Sequence, residues 1–324
     1  MHHTRALALL CAGVFFSLFA SSQEVTMGNG KFQAGIDIGP MFFLGDLGGN
    51  YGKGRGFIKD INLPLTNLSK GFFTSYYPTE WLGFRFAASH SKIEGYDSII
   101  NNKGSHESFR QLRNLQFRSP LTEATLVLEF YPTIILEQIT GLETRLKPYG
   151  VIGVGAFRFN PQGQYIEPNG NRVWVDLQPL RLEGQGMIEY PNRKPYNLTQ
   201  FNIPMGVGMK YMLGSNMFIG MELLHRTTFT DYMDDVSTNY IDANLFRNYL
   251  TPQQATIARQ LHYRENLANP LTRGSTPDMN EQRGNPKQND AFFSTTVRLG
   301  WRFGNNNNSS NRTMRQLRCP IVRF

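Results

Sequence analysis

Along most of the chain, large apolar residues alternate with small or polar ones at every second position. That is the period of a strand with one greasy face and one polar face. In segment 32–43, Phe32, Ala34, Ile36 and Ile38 fall on one side, and Gln33, Gly35, Asp37 and Gly39 on the other. Strand character, mostly with the same alternation, recurs at 71–77, 81–91, 121–130, 149–159, 201–211, 217–226 and 291–303. In 201–211, Ile203, Met205, Val207, Met209 and Tyr211 oppose Pro204, Gly206, Gly208 and Lys210. Segment 149–159 is rich in glycine, and its facing is ambiguous.

The connections decide how these eight segments are arranged. Short links at 78–80 and 212–216 and a medium one at 131–148 alternate with long ones at 44–70, 92–120, 160–200 and 227–290. Outer-membrane barrels have short periplasmic turns, long extracellular loops and an even strand number. The pattern therefore predicts an all-β fold, an eight-stranded antiparallel transmembrane outer-membrane β-barrel with both termini in the periplasm. A soluble β-sandwich also has alternating strands. It does not predict this rhythm of links, nor a last strand ending Arg298-Leu299-Gly300-Trp301-Arg302-Phe303 on an aromatic residue. Within the last long link, Thr251 as N-cap and Pro252 at the first helical position predict a helix over 252–268.

The polar face supplies the candidate chemistry. On the inward assignment the interior holds Asp37, Glu129 and Glu222 with Arg85, Lys210, Arg226, Arg298 and Arg302. An eight-stranded barrel is just wide enough inside for side chains to fill it. Unpaired buried charges are very costly, so these groups are expected to pair. The expectation is a salt-bridged plug rather than a porin, with a small channel or ligand-binding barrel as the alternative.

Composition changes the picture in three places. Mean hydropathy is −0.37, and after the N-terminus there is no stretch of about 20 apolar residues, which excludes a transmembrane helix. The 24 Phe, 14 Tyr and 31 Gly suit strands, membrane interfaces and a crowded barrel interior. Arg5, the apolar run 6–20 and the small residues Ala20-Ser21-Ser22 read as a secretory signal peptide over 1–22. That leaves a barrel over 23–303 and a flexible basic periplasmic tail over 304–324. Cys11 sits within the apolar run after Leu10, not at a lipoprotein cleavage site, so export leaves Cys319 as the lone thiol. A formal charge of +8 would suit nucleic acid, but an exported protein meets anionic lipid headgroups or an acidic partner instead.

Other chemistry is sparse. His90 between Ser89 and Ser91, and His225 beside Arg226, read as polar rim residues rather than as a nucleophile and its base. Asp231, Asp234, Asp235 and Asp242 are dense but not at EF-hand spacing, and read as solvated loop acids. Gly150, Gly153 and Gly155 do not complete a nucleotide-binding pattern.

One stretch is specific. Thr230-Asp231-Tyr232-Met233-Asp234-Asp235-Val236-Ser237-Thr238-Asn239-Tyr240 resembles the Thr-Asp-Tyr-Leu-Asp-Asp-Val-Ser-Thr signature of the PorG-like outer-membrane barrels of the type IX secretion system. Leu177-Gln178-Pro179-Leu180 with Glu183-Gly184-Gln185-Gly186, Arg283-Gly284-Asn285-Pro286 with Asn289-Asp290, and Cys319-Pro320 are similar too. The resemblance spans roughly residues 30–324. It implies a non-enzymatic component without cofactor, nucleic acid or small-molecule substrate, anchoring or stabilising the periplasmic PorK/PorN ring at the outer membrane. The end Cys319-Pro320-Ile321-Val322-Arg323-Phe324 departs from the shorter, lysine-bearing end expected of that family. Arg312, Arg315, Arg318 and Arg323 are nonetheless suited to carboxylates of a partner.

Overall fold

Eight long strands form the wall: β1 (Phe32–Leu44), β2 (Asn67–Tyr76), β3 (Leu82–Tyr96), β4 (Gln116–Phe130), β5 (Leu146–Phe159), β8 (Thr199–Met212), β9 (Met217–Thr228) and β10 (Ala291–Phe303). A short hairpin, β6 (Gln162–Ile166) and β7 (Arg172–Asp176), continues the sheet beyond β4. This is a computed structural model, which describes residues 32–47, 66–99, 113–140, 144–213, 216–264 and 281–303. Residues 1–22, read above as a signal peptide, and 304–324, read as a basic tail with Arg312, Arg315, Arg318, Cys319 and Arg323, lie outside the described residues.

Each wall strand pairs with the next, and β10 lies beside β1, so the sheet closes. The closure has a measurable stagger. Directly opposed residues lead from Phe32 through Tyr76, Phe84, Leu128, Ile152, Met205 and His225 to Phe293. Phe293 stacks on Phe42 with ring centroids 4.6 Å apart. One circuit thus returns to β1 ten residues further along (42 − 32 = 10). A shear of this kind goes with strands tilted by roughly 35–45°.

Burial follows the period of two, but inside out. On β4, Thr125, Val127 and Glu129 are buried while Leu126, Leu128 and Phe130 are exposed. Ile36, Ile38, Phe72, Ile152, Val154, Val207, Met221 and Val297 are likewise exposed on the outer wall. Water cannot hold such a belt at its surface without cost, whereas lipid can. Aromatic residues edge it at the end with the short links, where Tyr76, Phe84, Phe130, Tyr211, Trp301 and Phe303 face outward. This is the fold of an eight-stranded transmembrane barrel.

The phase then inverts. Towards the long-loop end, Met41, Ile93, Phe117, Leu121, Phe157, Phe159 and Phe292 point inward and are buried, while Lys92, Glu94 and Arg118 point outward. Apolar residues leave the wall where lipid ends and enter a core of ordinary globular kind. The long loops complete that core with Leu177, Leu180, Leu182, Met233, Val236, Ile241, Phe246, Ala258 and Leu261, forming a cap. Among the described residues the cap contains helices α2 (Phe246–Tyr249) and α3 (Pro252–His262). Helix α3 begins with a capping box between Thr251 and Gln254. It ends earlier than the expected 252–268 because Tyr263 is extended and loop carbonyls tie down its end. His262 Nδ1 lies 2.8 Å from the Leu182 carbonyl, and Arg264 donates to that of Gln164 at 2.6 Å.

A third helix, α1 (Pro132–Thr140), which follows β4 at the opposite end, was not expected from the medium link. Its Ile134 packs beneath Tyr77, Val127, Tyr131, Tyr149 and Val151 and closes the barrel floor.

Candidate functional site

The lumen is filled by two layers of charge. In the lower layer, Glu129 on β4 and Glu222 on β9 stand between Arg85 on β3, Lys210 on β8 and Arg298 on β10. Arg85 donates to Glu129 at 2.6 Å and to both oxygens of Glu222 at 2.7 and 2.9 Å. Lys210 donates to Glu129 at 2.9 Å, and Arg298 reaches both carboxylates at 3.3 Å. Tyrosines complete the acceptors: Tyr131 donates to Glu129 at 2.6 Å, Tyr149 to Glu222 at 2.8 Å, and Tyr77 also to Glu129. The Arg298 guanidinium lies over the Phe73 ring at 3.9 Å. Glycine makes the space, since a Cβ at Gly83 or Gly208 would collide with the ring of Tyr77 or Tyr149.

The upper layer is smaller. Arg226 forms an ion pair with Glu123 at 2.9 Å and bonds Ser294 at 2.5 Å, while Asn202 donates to Glu123 at 2.8 Å. Of the charges assigned to the interior by alternation, Arg85, Glu129, Lys210, Glu222, Arg226 and Arg298 are brought into these layers. Asp37 faces the same lumen, half-buried, with its carboxylate against Gly71. Arg302 sits half-buried at the short-link end, where its backbone N–H donates to Asn216. Glu123 was missed, although its position two residues before Thr125 on an alternating strand places it inward. With Arg85 and Arg298 each at most 2% exposed, charged side chains close the cross-section.

The signature stretch lies in the cap, and its acids are not the solvated loop acids expected. Asp231, Asp234 and Asp235 are buried. Asp234 accepts from the backbone of Leu47 at 3.1 Å and Val236 at 3.0 Å, and Asp235 from Tyr196 at 2.7 Å. Asp242 instead caps a turn at Asn244. Thr230 and Asp290 hold the start of the loop, for Tyr232 donates to Thr230 Oγ1 at 3.2 Å and Met233 to Asp290 at 2.8 Å. Beside it, Glu183 accepts from Ser237 (3.0 Å), Thr238 (2.8 and 2.7 Å) and Arg283 (2.8 Å). Gly184 and Gly186, at φ of 76° and 74°, provide the turn that presents Glu183. Three sequence-distant stretches of the resemblance therefore meet in one network. Among the described residues no three His, Cys, Asp or Glu side chains are placed to hold a metal ion.

Burial gives these acids unusual titration, outweighing Arg283 beside Asp235 and Arg113 near Asp234. It pushes Asp231 up to about 8 and Asp235 up to about 7, against an ordinary 3.8. It also raises Asp234 and Asp290, Asp234 further through the neighbouring Asp46 and Asp290 through Asp234. A raised acid contributes stability that is complete below pH 3.8 and is lost as pH rises through its folded value. His262 opposes this at lower pH. Burial pushes it down to about 3 from 6.5, so its contribution is present above 6.5 and lost as pH falls towards 3. Between pH 6.5 and 8 the acids dominate. Backbone amides of 231–241 are expected to exchange faster at pH 8 than at pH 6.5, after correction for intrinsic rates. Equal protection would contradict the burial of these acids.

The candidate catalytic pairs do not assemble. His90 points outward, with Nδ1 2.9 Å from Thr122 Oγ1, whereas Ser89 and Ser91 lie on the inward face of the same strand. His225 is also on the outward face, opposite Phe293 and Met205. A cavity under the cap, lined by Leu47, Leu177, Asp234, Leu261, Arg264 and Arg283 among others, has room for about one water.

No protein-family model matches the chain, and no curated protein matches it. Solved structures do. The chain is similar to the outer membrane protein OprG of Pseudomonas aeruginosa, at 12% identity over 86% of this chain and 99% of that one, with a TM-score of 0.34. It is also similar to a major outer membrane protein of Thermus thermophilus, at 11% identity over 84% and 99%, with a TM-score of 0.37. Outer Membrane Protein W of E. coli gives 12%, 85% and 98%, with a TM-score of 0.31. Independently of these likenesses, the lipid-facing belt, the alternating link lengths and the polar lumen make this an outer-membrane-type barrel.

Proposed function

We propose that the barrel is a non-enzymatic anchor for a periplasmic assembly of the protein-secretion machinery, with the capped end outside and both termini in the periplasm. The observation that carries this is the filled lumen. Glu129, Glu222, Arg85, Lys210 and Arg298 bond one another across the section, which suits a rigid post in the membrane and not a conduit. The resemblance at 230–240 narrows the reading to the type IX secretion system, with the PorK/PorN ring as partner.

The periplasmic end offers a surface for such a partner. Helix α1 packs Ile134 against the barrel interior and leaves Leu136 59% and Ile139 77% exposed. A photo-crosslinking residue at Leu136 or Ile139, in cells carrying the ring, is expected to yield adducts with ring components. Deleting 312–324 is expected to lower ring co-purification. Intact barrel that gives no such adducts and an undiminished ring yield would contradict the anchor. In planar bilayers the protein is expected to show no stable single-channel conductance, and reproducible openings would favour the channel reading instead.

A further inference from the structure

Beyond the belt at the long-loop end, the described outward positions of the wall strands are charged on one side only. On β3 the outward series runs Phe84, Phe86, Ala88 and then His90 and Lys92. On β4 it runs Leu128, Leu126, Ala124 and then Thr122, Pro120 and Arg118, and on β5 Ile152, Val154, Ala156 and then Arg158. Lys70 on β2 is directly opposite His90, His90 opposite Thr122, and Thr122 opposite Arg158. Lys70, His90 and Arg158 thus share one row across four strands, roughly 14 Å wide at the usual strand spacing. Lys92 and Arg118 stand just above it.

The other half of the barrel differs. Its outward positions near the same end are Phe201 and Thr199 on β8, His225 and Thr227 on β9, Phe293 and Ala291 on β10, and Pro40 and Phe42 on β1. None carries a formal charge. On β2–β5 the described outward rim has a single carboxylate, Glu94, which pairs with Lys92. Lys70 and Arg158 are exposed and form no ion pair among the described residues. Arg118 is held in place: its guanidinium lies over the Trp174 ring at 4.2 Å, and Nε donates to Gln162 at 3.0 Å.

Resting on the proposed orientation with the capped end outside, we infer that this face, built from Lys70, Lys92, Arg118 and Arg158, docks the phosphate groups of outer-leaflet lipid headgroups. Lys92, Arg118 and Arg158 stand where the apolar series of β3, β4 and β5 end, which is headgroup level, and Lys70 stands one outward position inside that boundary, with exposed Leu68 beyond it. Lysine reaches that level by laying its stem along the greasy wall, and arginine pairs with phosphate through two parallel hydrogen bonds. The charge asymmetry gives the barrel one side that retains anionic lipid and one that does not.

The test uses full-length protein in detergent, with bisphosphorylated lipid A or its dephosphorylated form as the probe and retained lipid counted by native mass spectrometry. Wild type is expected to prefer the phosphorylated form. The triple variant Lys70→Gln, Arg118→Gln, Arg158→Gln is expected to bind it roughly tenfold or more weakly, since each basic residue near an anionic surface counts. A cap variant with the same charge loss, Lys194→Gln, Arg247→Gln, Lys287→Gln, is expected to bind as wild type. Arg158→Glu alone, at an exposed position, covers the case in which the triple variant does not fold, and is expected to weaken binding roughly fivefold or more. Equal binding of both lipid forms, rim variants that bind as wild type, or an equal loss in the cap variant would overturn the inference.

Discussion

Glu129→Gln is expected to destabilise the barrel by about 3–5 kcal/mol, the range for removing one partner of a buried ion pair. Glu129 is fully buried and accepts from Arg85, Lys210, Arg298, Tyr131 and Tyr77. Without its charge, three buried cations are left with Glu222 and the half-buried Asp37. The amide also brings donors to a point where five donors already converge. The measurement is the urea midpoint of protein refolded into lipid. Adding Lys210→Met to the variant removes one excess cation and is expected to recover much of the loss. A midpoint for Glu129→Gln equal to wild type would mean that the lower layer is hydrated or unpaired, contrary to its geometry.

The second large effect concerns the cap alone. Glu183 is fully buried and ties 183–186 to 237–238 and to Arg283. Glu183→Gln removes the charge opposite Arg283, leaving a buried guanidinium without its ion pair, and is expected to cost the cap about 3–5 kcal/mol. Because the network lies in the loops, the wall should be spared. Hydrogen exchange is expected to show lost protection at 177–198 and 230–245, with β4 and β9 unchanged. Loss of protection along the wall strands as well would show that cap and barrel unfold together, and unchanged protection throughout would show that Glu183 does not hold the cap.

The wall was legible because lipid enforces one simple rule on it. Eight alternating segments correspond to the eight wall strands, and 291–303 has the same bounds in both. The facing of 149–159 was not legible, since Gly150, Gly153 and Gly155 fall on both faces. Strands β3 and β4 run five residues past their expected outer ends, to Tyr96 and from Gln116. There the apolar residues, Ile93 and Phe117, switch to the inward face, so a pattern scored for greasy-out strands stops at the membrane boundary. Hairpin β6–β7 did leave a signal, in that Pro168-Asn169-Gly170 separates two short strand-like runs, with Gly170 at φ 86°. The cap network left none. Glu183 and Arg283 are 100 residues apart, and no local period reports such a pairing, so buried acids in 230–235 looked like ordinary loop polarity.

The central claim is that the exposed apolar face of the wall contacts lipid. Nitroxide labels placed singly at each position from 201 to 211, in a background without the native cysteines and reconstituted in bilayers, measure this directly. Accessibility to oxygen is expected to peak at 203, 205, 207 and 209 and to fall at 204, 206 and 208. A flat profile, or positions 203–209 open to a water-soluble relaxation agent, would contradict the barrel's place in the membrane.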